Sequence, residues 1–217
     1  MTDRKDQIIE SIRAGINYFI VTSFMPNVYN YLFESDIQSH LFMILRESMI
    51  PYAAEKPIKI KNHACKEKGY SDLDFFRLNY VYTEYSSNRI DIVCLDPEKT
   101  LNYEEYCNKW GDPKLRRGPD PLWDQPPLVG IEIKYIRCGY RKDLSECEAD
   151  KEKLEEYREK LKHITDRFKY LVLGFVQEHS SGIFECHKTD LVKTTDGIRE
   201  LDSIYLINRD GVYKYLK

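Results

Sequence analysis

Two charged residues interrupt an apolar, β-like run in this sequence, and a third does so in another. The segment Val-Gly-Ile-Glu-Ile-Lys-Tyr-Ile occupies 129–136. Alternation puts Val129, Ile131, Ile133 and Tyr135 on one face of a strand, and Gly130, Glu132, Lys134 and Ile136 on the other. Glu132 and Lys134 are then neighbours, roughly 6–7 Å apart along the strand. An acid-x-Lys triplet alone says little, since Asp3/Lys5 and Asp112/Lys114 repeat it in polar segments. Only Glu132/Lys134 sits inside a run that otherwise wants burial, where charge needs a reason. In Arg-Ile-Asp-Ile-Val-Cys-Leu at 89–95, Arg89, Asp91, Val93 and Leu95 share one face, so Asp91 is a mid-strand acid. If the two strands are neighbours, Asp91 and Glu132 converge. Paired carboxylates repel unless a cation joins them, and hard oxygen ligands with open water positions suit Mg²⁺, with Mn²⁺ as substitute. Lys134 then offers a point charge beside a metal-bound water and a scissile phosphate.

A third acid comes from a helix. At 100° per residue, Leu41, Leu45 and Gln38 fall within about 40° of Glu34, which places Glu34 on the buried stripe. Asp36 and Glu47 fall on the opposite, solvent side. Ser35 and Gln38 also have capping-box spacing, which would put Glu34 just before the helix. Each acid has a plain alternative: Glu132 and Lys134 as a solvated pair on an edge strand, Asp91 as the partner of Arg89, Glu34 as a dipole-complementing acid.

The elements that must position these residues read as follows. Helical spacing of isoleucine and phenylalanine predicts a first helix at about 7–22, and a second spans about 31–49, ending at Pro51. Residues 78–85 and 89–95 form a hairpin about Ser86-Ser87-Asn88. Residues 97–127, rich in Pro, Gly and charge, form an irregular insertion with a short helix near 101–107. Residues 129–136 are a strand. Residues 149–168 are a charged helix striped by Leu154, Tyr157, Leu161, Ile164 and Phe168. Its charged face reads as solvated, with Lys153 as a candidate helper. The apolar run 170–176 is a buried central strand, and the tail at about 183–217 is β-rich and ends in a hairpin turning at Asp210-Gly211. The order predicts one α/β domain over 1–217, a mixed central β-sheet flanked by helices.

Composition narrows the classes. The chain has 217 residues, with 33 basic against 36 acidic side chains and a net charge of −3, which excludes a polybasic non-specific nucleic-acid binder. Seventeen tyrosines and nine phenylalanines exclude a disordered chain. No apolar stretch approaches about 18 residues, so no membrane span is expected. The charged start has no signal-peptide core. None of the six cysteines forms a C-x-x-C pair, and the histidines lack zinc-finger spacing. An intracellular protein of cytoplasm or nucleoid, not a secreted one, is expected.

Taken together, the helix with Glu34, the hairpin strand with Asp91, the Glu132-Ile133-Lys134 strand and the helix and strand after it resemble the PD-(D/E)XK, or restriction-endonuclease-like, nuclease superfamily. The resemblance covers about 31–176. It implies a restriction-endonuclease-like core with an insertion between the Asp91 and Glu132 strands, and Mg²⁺-dependent hydrolysis of DNA phosphodiesters. By position, Asp91, Glu132 and the backbone carbonyl of Ile133 resemble the family's metal ligands. Lys134 resembles its water-orienting lysine, and Glu34 the helix acid found in many members. The residue before Asp91 is Ile90 rather than proline, and the gap from Asp91 to Glu132 is long.

DNA contact is expected along 134–142, where Lys134, Arg137, Arg141 and Lys142 occur with Tyr135 and Tyr140 and no acid. Two further basic groups are Lys56, Lys59, Lys61, Lys66 and Lys68, and Lys114, Arg116 and Arg117. The rival readings are an inactive nucleic-acid-binding module on the same fold and a regulatory interaction subunit. Cutting both strands of a duplex with one site per chain implies a homodimer. Three surfaces offer themselves: the isoleucine-striped first helix, the insertion with Trp110 and Trp123, and an edge strand of the terminal hairpin.

Overall fold

The computed structural model describes residues 3–52, 80–85, 89–97, 126–137, 144–177 and 182–217. Chain order begins with α1 (Arg4–Tyr18), one wide π-helical stretch (Phe19–Phe24) and a 3₁₀ segment (Met25–Asn30), then α2 (Glu34–Met49). Next come β1 (Val81–Tyr85), β2 (Ile90–Leu95), β3 (Pro127–Ile136), α3 (Ser145–Leu161) and β4 (Lys169–Val176). The chain closes with α4 (Gly182–Cys186), β5 (Leu191–Thr194), β6 (Ser203–Asn208) and β7 (Gly211–Tyr215). The protein is therefore α/β, with a mixed seven-stranded sheet ordered β1-β2-β3-β4-β6-β7-β5 and flanked by helices. β3, β4 and β6 run parallel, and the other pairings are antiparallel.

Parallel neighbours need a crossover, and α3 supplies it between β3 and β4. Both faces of β4 are therefore covered, and Tyr170 to Val176 are all buried, as a continuous apolar run requires. α3 lies on the face that carries Gly130, Glu132 and Lys134. On the other face Phe19 and Phe24 meet Phe175 edge-on, at 5.8 and 4.7 Å between ring centroids. Ile8, Ile12 and Ile16 of α1 are fully buried, as are Phe19, Ile20 and Phe24 of the π-helical stretch. The isoleucine stripe thus serves the chain's own core and is not a spare surface.

Several boundaries differ from the sequence reading. The first helix starts earlier, at Arg4, where the Asp3 side chain accepts the Lys5 N–H at 3.3 Å. The charged helix spans Ser145–Leu161 rather than 149–168. After Leu161 its carbonyl is shared by Ile164 and Thr165 in a turn, and Ile164 points outward while Phe168 enters the core ahead of β4. The terminal hairpin turns at Arg209 and Asp210, one residue earlier than expected, with Asn208 Oδ1 accepting from the N–H groups of Asp210 and Gly211. Its strands are not an edge: β6 pairs with β4, and β5 covers the outer side of β7. The edge-strand reading of the hairpin is therefore wrong, because β5 did not stand out as a strand. The insertion helix, Arg141, Lys142, Trp110, Trp123 and both secondary lysine and arginine groups lie outside the described residues.

Candidate active site

β2 and β3 are hydrogen-bonded neighbours up to the pair Ile92↔Ile131 and then part. The parting happens at Asp91. On its other side, β1 pairs Thr83↔Ile92 and Tyr85↔Ile90 but skips Glu84, whose φ of 52° takes it out of the extended conformation. Asp91 therefore has no ladder partner on either flank. Its carbonyl instead accepts from Gln38 Nε2 at 2.8 Å, and its Oδ2 accepts the Ile133 N–H at 2.7 Å. Two residues further along β3, the Tyr135 N–H donates to Glu34 Oε2 at 3.0 Å.

These contacts have one cause. Alternate residues of a strand direct their N–H and C=O to the same neighbour. Where β2 leaves, the polar groups of Ile133 and Tyr135 would face a gap, and buried backbone groups must be paired. Asp91 from the sheet and Glu34 from α2 fill that gap with carboxylates. The Ile133 carbonyl faces it too. Glu34 is the first helical residue of α2, and Asp36 Oδ2 reaches back to accept from the N–H groups of Leu32 and the N-cap Phe33. Ser35 is thus not the cap, and Gln38 is free to reach Asp91.

On the α3 side, Glu132 and Lys134 each meet an opposite charge. Lys153 Nζ lies 2.6 Å from Glu132 Oε1, and Lys134 Nζ lies 3.0 Å from Asp150 Oδ2. Both are close contacts between a lysine ammonium and a carboxyl oxygen. Asp150 falls on the face expected to be solvated, and Lys153, one turn away, is the candidate helper of that face. In fact that turn of α3 lies over the strand's charged pair. The alternation of opposite charges, Lys134–Asp150 beside Glu132–Lys153, is the signal that only the packed structure exposes. Arg89 pairs with Glu84 at 3.0 Å rather than with Asp91.

The carboxylates do not ionise as ordinary ones. Glu132 is 2% exposed. Burial, and then the Asp91 charge, push its pKa up to about 8 against the partial relief that Lys153 gives. Burial also raises Asp91, although the Ile133 N–H, Lys134 and a hydrogen bond with Glu132 all work the other way. Glu34 is raised by burial, and Asp91 and Asp150 add to it. Lys134 loses stability as a cation through burial, but Asp150, Glu34 and Asp91 outweigh this and raise its pKa. Among the described residues, four carboxyls thus face two lysines in one half-buried cluster, an excess of two acids. The Asp91 charge raises the Glu132 pKa, so ionising both carboxyls is costly unless a proton or a cation offsets the repulsion.

Among the described residues no group of three or more His, Cys, Asp or Glu side chains forms a ready-made metal cage. Asp91 and Glu132 do bring two carboxyls to one gap, oxygen donors of the chemical kind a hard divalent ion takes, with Glu132 Oε1 lying 2.6 Å from the Lys153 ammonium. Glu34 stands further along the strand, on the Tyr135 N–H. Arg137, expected on nucleic acid, lies at the exposed end of β3, where it donates to the Leu32 carbonyl. No family model matches the chain, and no curated protein or solved structure matches it either. No helix among the described residues is long and apolar enough to cross a membrane.

Proposed function

We propose that this chain is a divalent-cation-dependent endonuclease of the restriction-endonuclease-like kind, hydrolysing DNA phosphodiester bonds. The observation that carries the reading is the half-buried Asp91 carboxylate, which accepts the Ile133 N–H, beside the buried Glu132 at the point where β2 and β3 part. Asp91, Glu132, the Ile133 carbonyl and, further along, Glu34 would hold Mg²⁺ or Mn²⁺. A bound ion there supplies a water of lowered pKa and neutralises charge on the phosphate. Lys134, held by Asp150, is a positively charged donor fixed beside that position. Lys153, on Glu132, is a second. Either can orient the attacking water and stabilise charge developing on the phosphate oxygens.

One observation favours a second reading, a nucleic-acid-binding module without catalysis. Lys134 already lies against Asp150, and Lys153 against Glu132, without an ion. Incubation with plasmid, single-stranded and junction DNA plus Mg²⁺ or Mn²⁺ separates the two. Cleavage is expected, and Asp91→Ala, Glu132→Ala and Lys134→Ala should each remove most of it. Calcium titration should show binding that Asp91→Ala abolishes. Retention of DNA with no cation binding and no cutting would leave the binding module. Full cleavage by Glu132→Ala would put the chemistry elsewhere.

A further inference from the structure

An aromatic and cationic group stands beside the acidic site and is not used by it. Phe33 precedes Glu34 directly and is 59% exposed, and Leu32 is 57% exposed. The Arg137 guanidinium lies 5.6 Å from the ring centroid of Phe33 and 5.6 Å from that of Tyr135. These are cation–π distances. The group is held in place. Tyr135 donates its hydroxyl to the Tyr31 carbonyl at 2.5 Å, and Arg137 donates to the Leu32 carbonyl. The neighbouring Asp36 carboxylate ties down the N–H groups of Leu32 and Phe33. A large apolar ring is thus kept in solvent on a braced backbone, next to a guanidinium with one hydrogen bond among the described residues.

We infer that Phe33, with Arg137 and Tyr135 behind it, is a stacking platform for an unpaired nucleobase, so that the site acts on single-stranded nucleic acid. This rests on the nuclease reading of the adjoining acids. Glu34 joins platform and site in one residue step, because its carboxylate is bonded to the backbone of Tyr135 itself. An aromatic face accepts any base, while a base inside a duplex has both its faces taken by neighbours. Arg137 supplies the positive charge that a phosphate needs beside a cluster with an excess of acids. The exposed ring therefore matches a splayed strand and does not match the grooves of a duplex.

The probe is a single-stranded 15-mer carrying one 2-aminopurine, with the same sequence as a duplex for comparison, in Ca²⁺. Wild type should bind the single strand at least tenfold more tightly than the duplex and quench the 2-aminopurine by stacking. Phe33→Ala should weaken single-strand binding by about fivefold to a hundredfold and lose the quenching. Phe33→Trp should restore both. Phe33→Leu, which keeps an apolar side chain over the same backbone, should behave as Phe33→Ala. Equal binding of duplex and single strand, or unchanged quenching in Phe33→Leu, would overturn the platform. These readouts do not involve cleavage. A protein that quenches but never cuts retains the platform and loses the nuclease reading. One that cuts, with Phe33→Leu like wild type, retains the nuclease reading and loses the platform.

Discussion

Burial, and then the Asp91 charge, push the Glu132 pKa from the usual 4.5 up to about 8. Between those values the folded chain binds more protons than the unfolded one, so stability falls as pH rises. The groups facing it are Asp91 from β2, Asp150 and Lys153 from α3, and Lys134 on its own strand. The raised Asp91 and Glu34 act in the same direction. The metal-free protein should therefore be most stable near pH 5 and lose on the order of a few kcal/mol by pH 9, read as falling melting temperature in EDTA. Glu132→Gln should flatten that profile and melt higher than wild type at pH 8. A wild-type profile that rises through this range would contradict the buried protonated carboxyl. Asp150 acts one step removed, by holding Lys134. Asp150→Asn should lower cleavage about tenfold to a hundredfold while calcium binding survives. Loss of both would make Asp150 a ligand. Asp91, Glu132 and Lys134 were legible because a charge inside an alternating apolar strand stands out. Lys153 was legible only as a candidate helper, and Asp150 not at all, because a charged helix looks solvated until its packing against β3 is known.

At the scale of elements, β-parity placed Asp91 and Glu132 correctly, since antiparallel neighbours keep opposed side chains on one face. The parting of β2 from β3 was not legible. It depends on α2 offering Gln38 and Glu34 to the freed backbone, a long-range contact with no local signature. The same layer sets the fit of β3 against α3. A methyl group added at Gly130 would lie 2.8 Å from Phe168 Cζ and 3.4 Å from Leu154 Cδ2. Phe168 is buried and edge-on to Tyr157 at 5.5 Å, so it has little room to yield. Gly130→Ala should destabilise by about 1–3 kcal/mol, read as a lower urea midpoint with unchanged slope. Because Gly130 shares its face with Glu132, calcium affinity should fall with it. An unchanged midpoint would mean that α3 packs more loosely than described.

For the molecule as a whole, the expectation of a dimer came from duplex cutting and from three spare surfaces. One is the isoleucine stripe of α1, which is buried in the chain's own core. A second is the terminal hairpin, whose outer strand is already covered by β5. Both assignments failed for one reason: an amphipathic pattern shows that a face is buried, but not against what. The third, around Trp110 and Trp123, lies outside the described residues. The substrate argument changes as well. On the proposed reading, a strand held through a single base platform would be cut by one Asp91–Glu132 set, with no need of a second set on an antiparallel strand. The expected outcome is a monomer by light scattering at tens of micromolar, with cleavage of a single-stranded substrate first order in protein from nanomolar upward. On plasmid the same enzyme should give nicked circles before linear product. Second-order dependence on protein, or linear product appearing without nicked circles, would require two copies acting together and would restore the two-fold assembly.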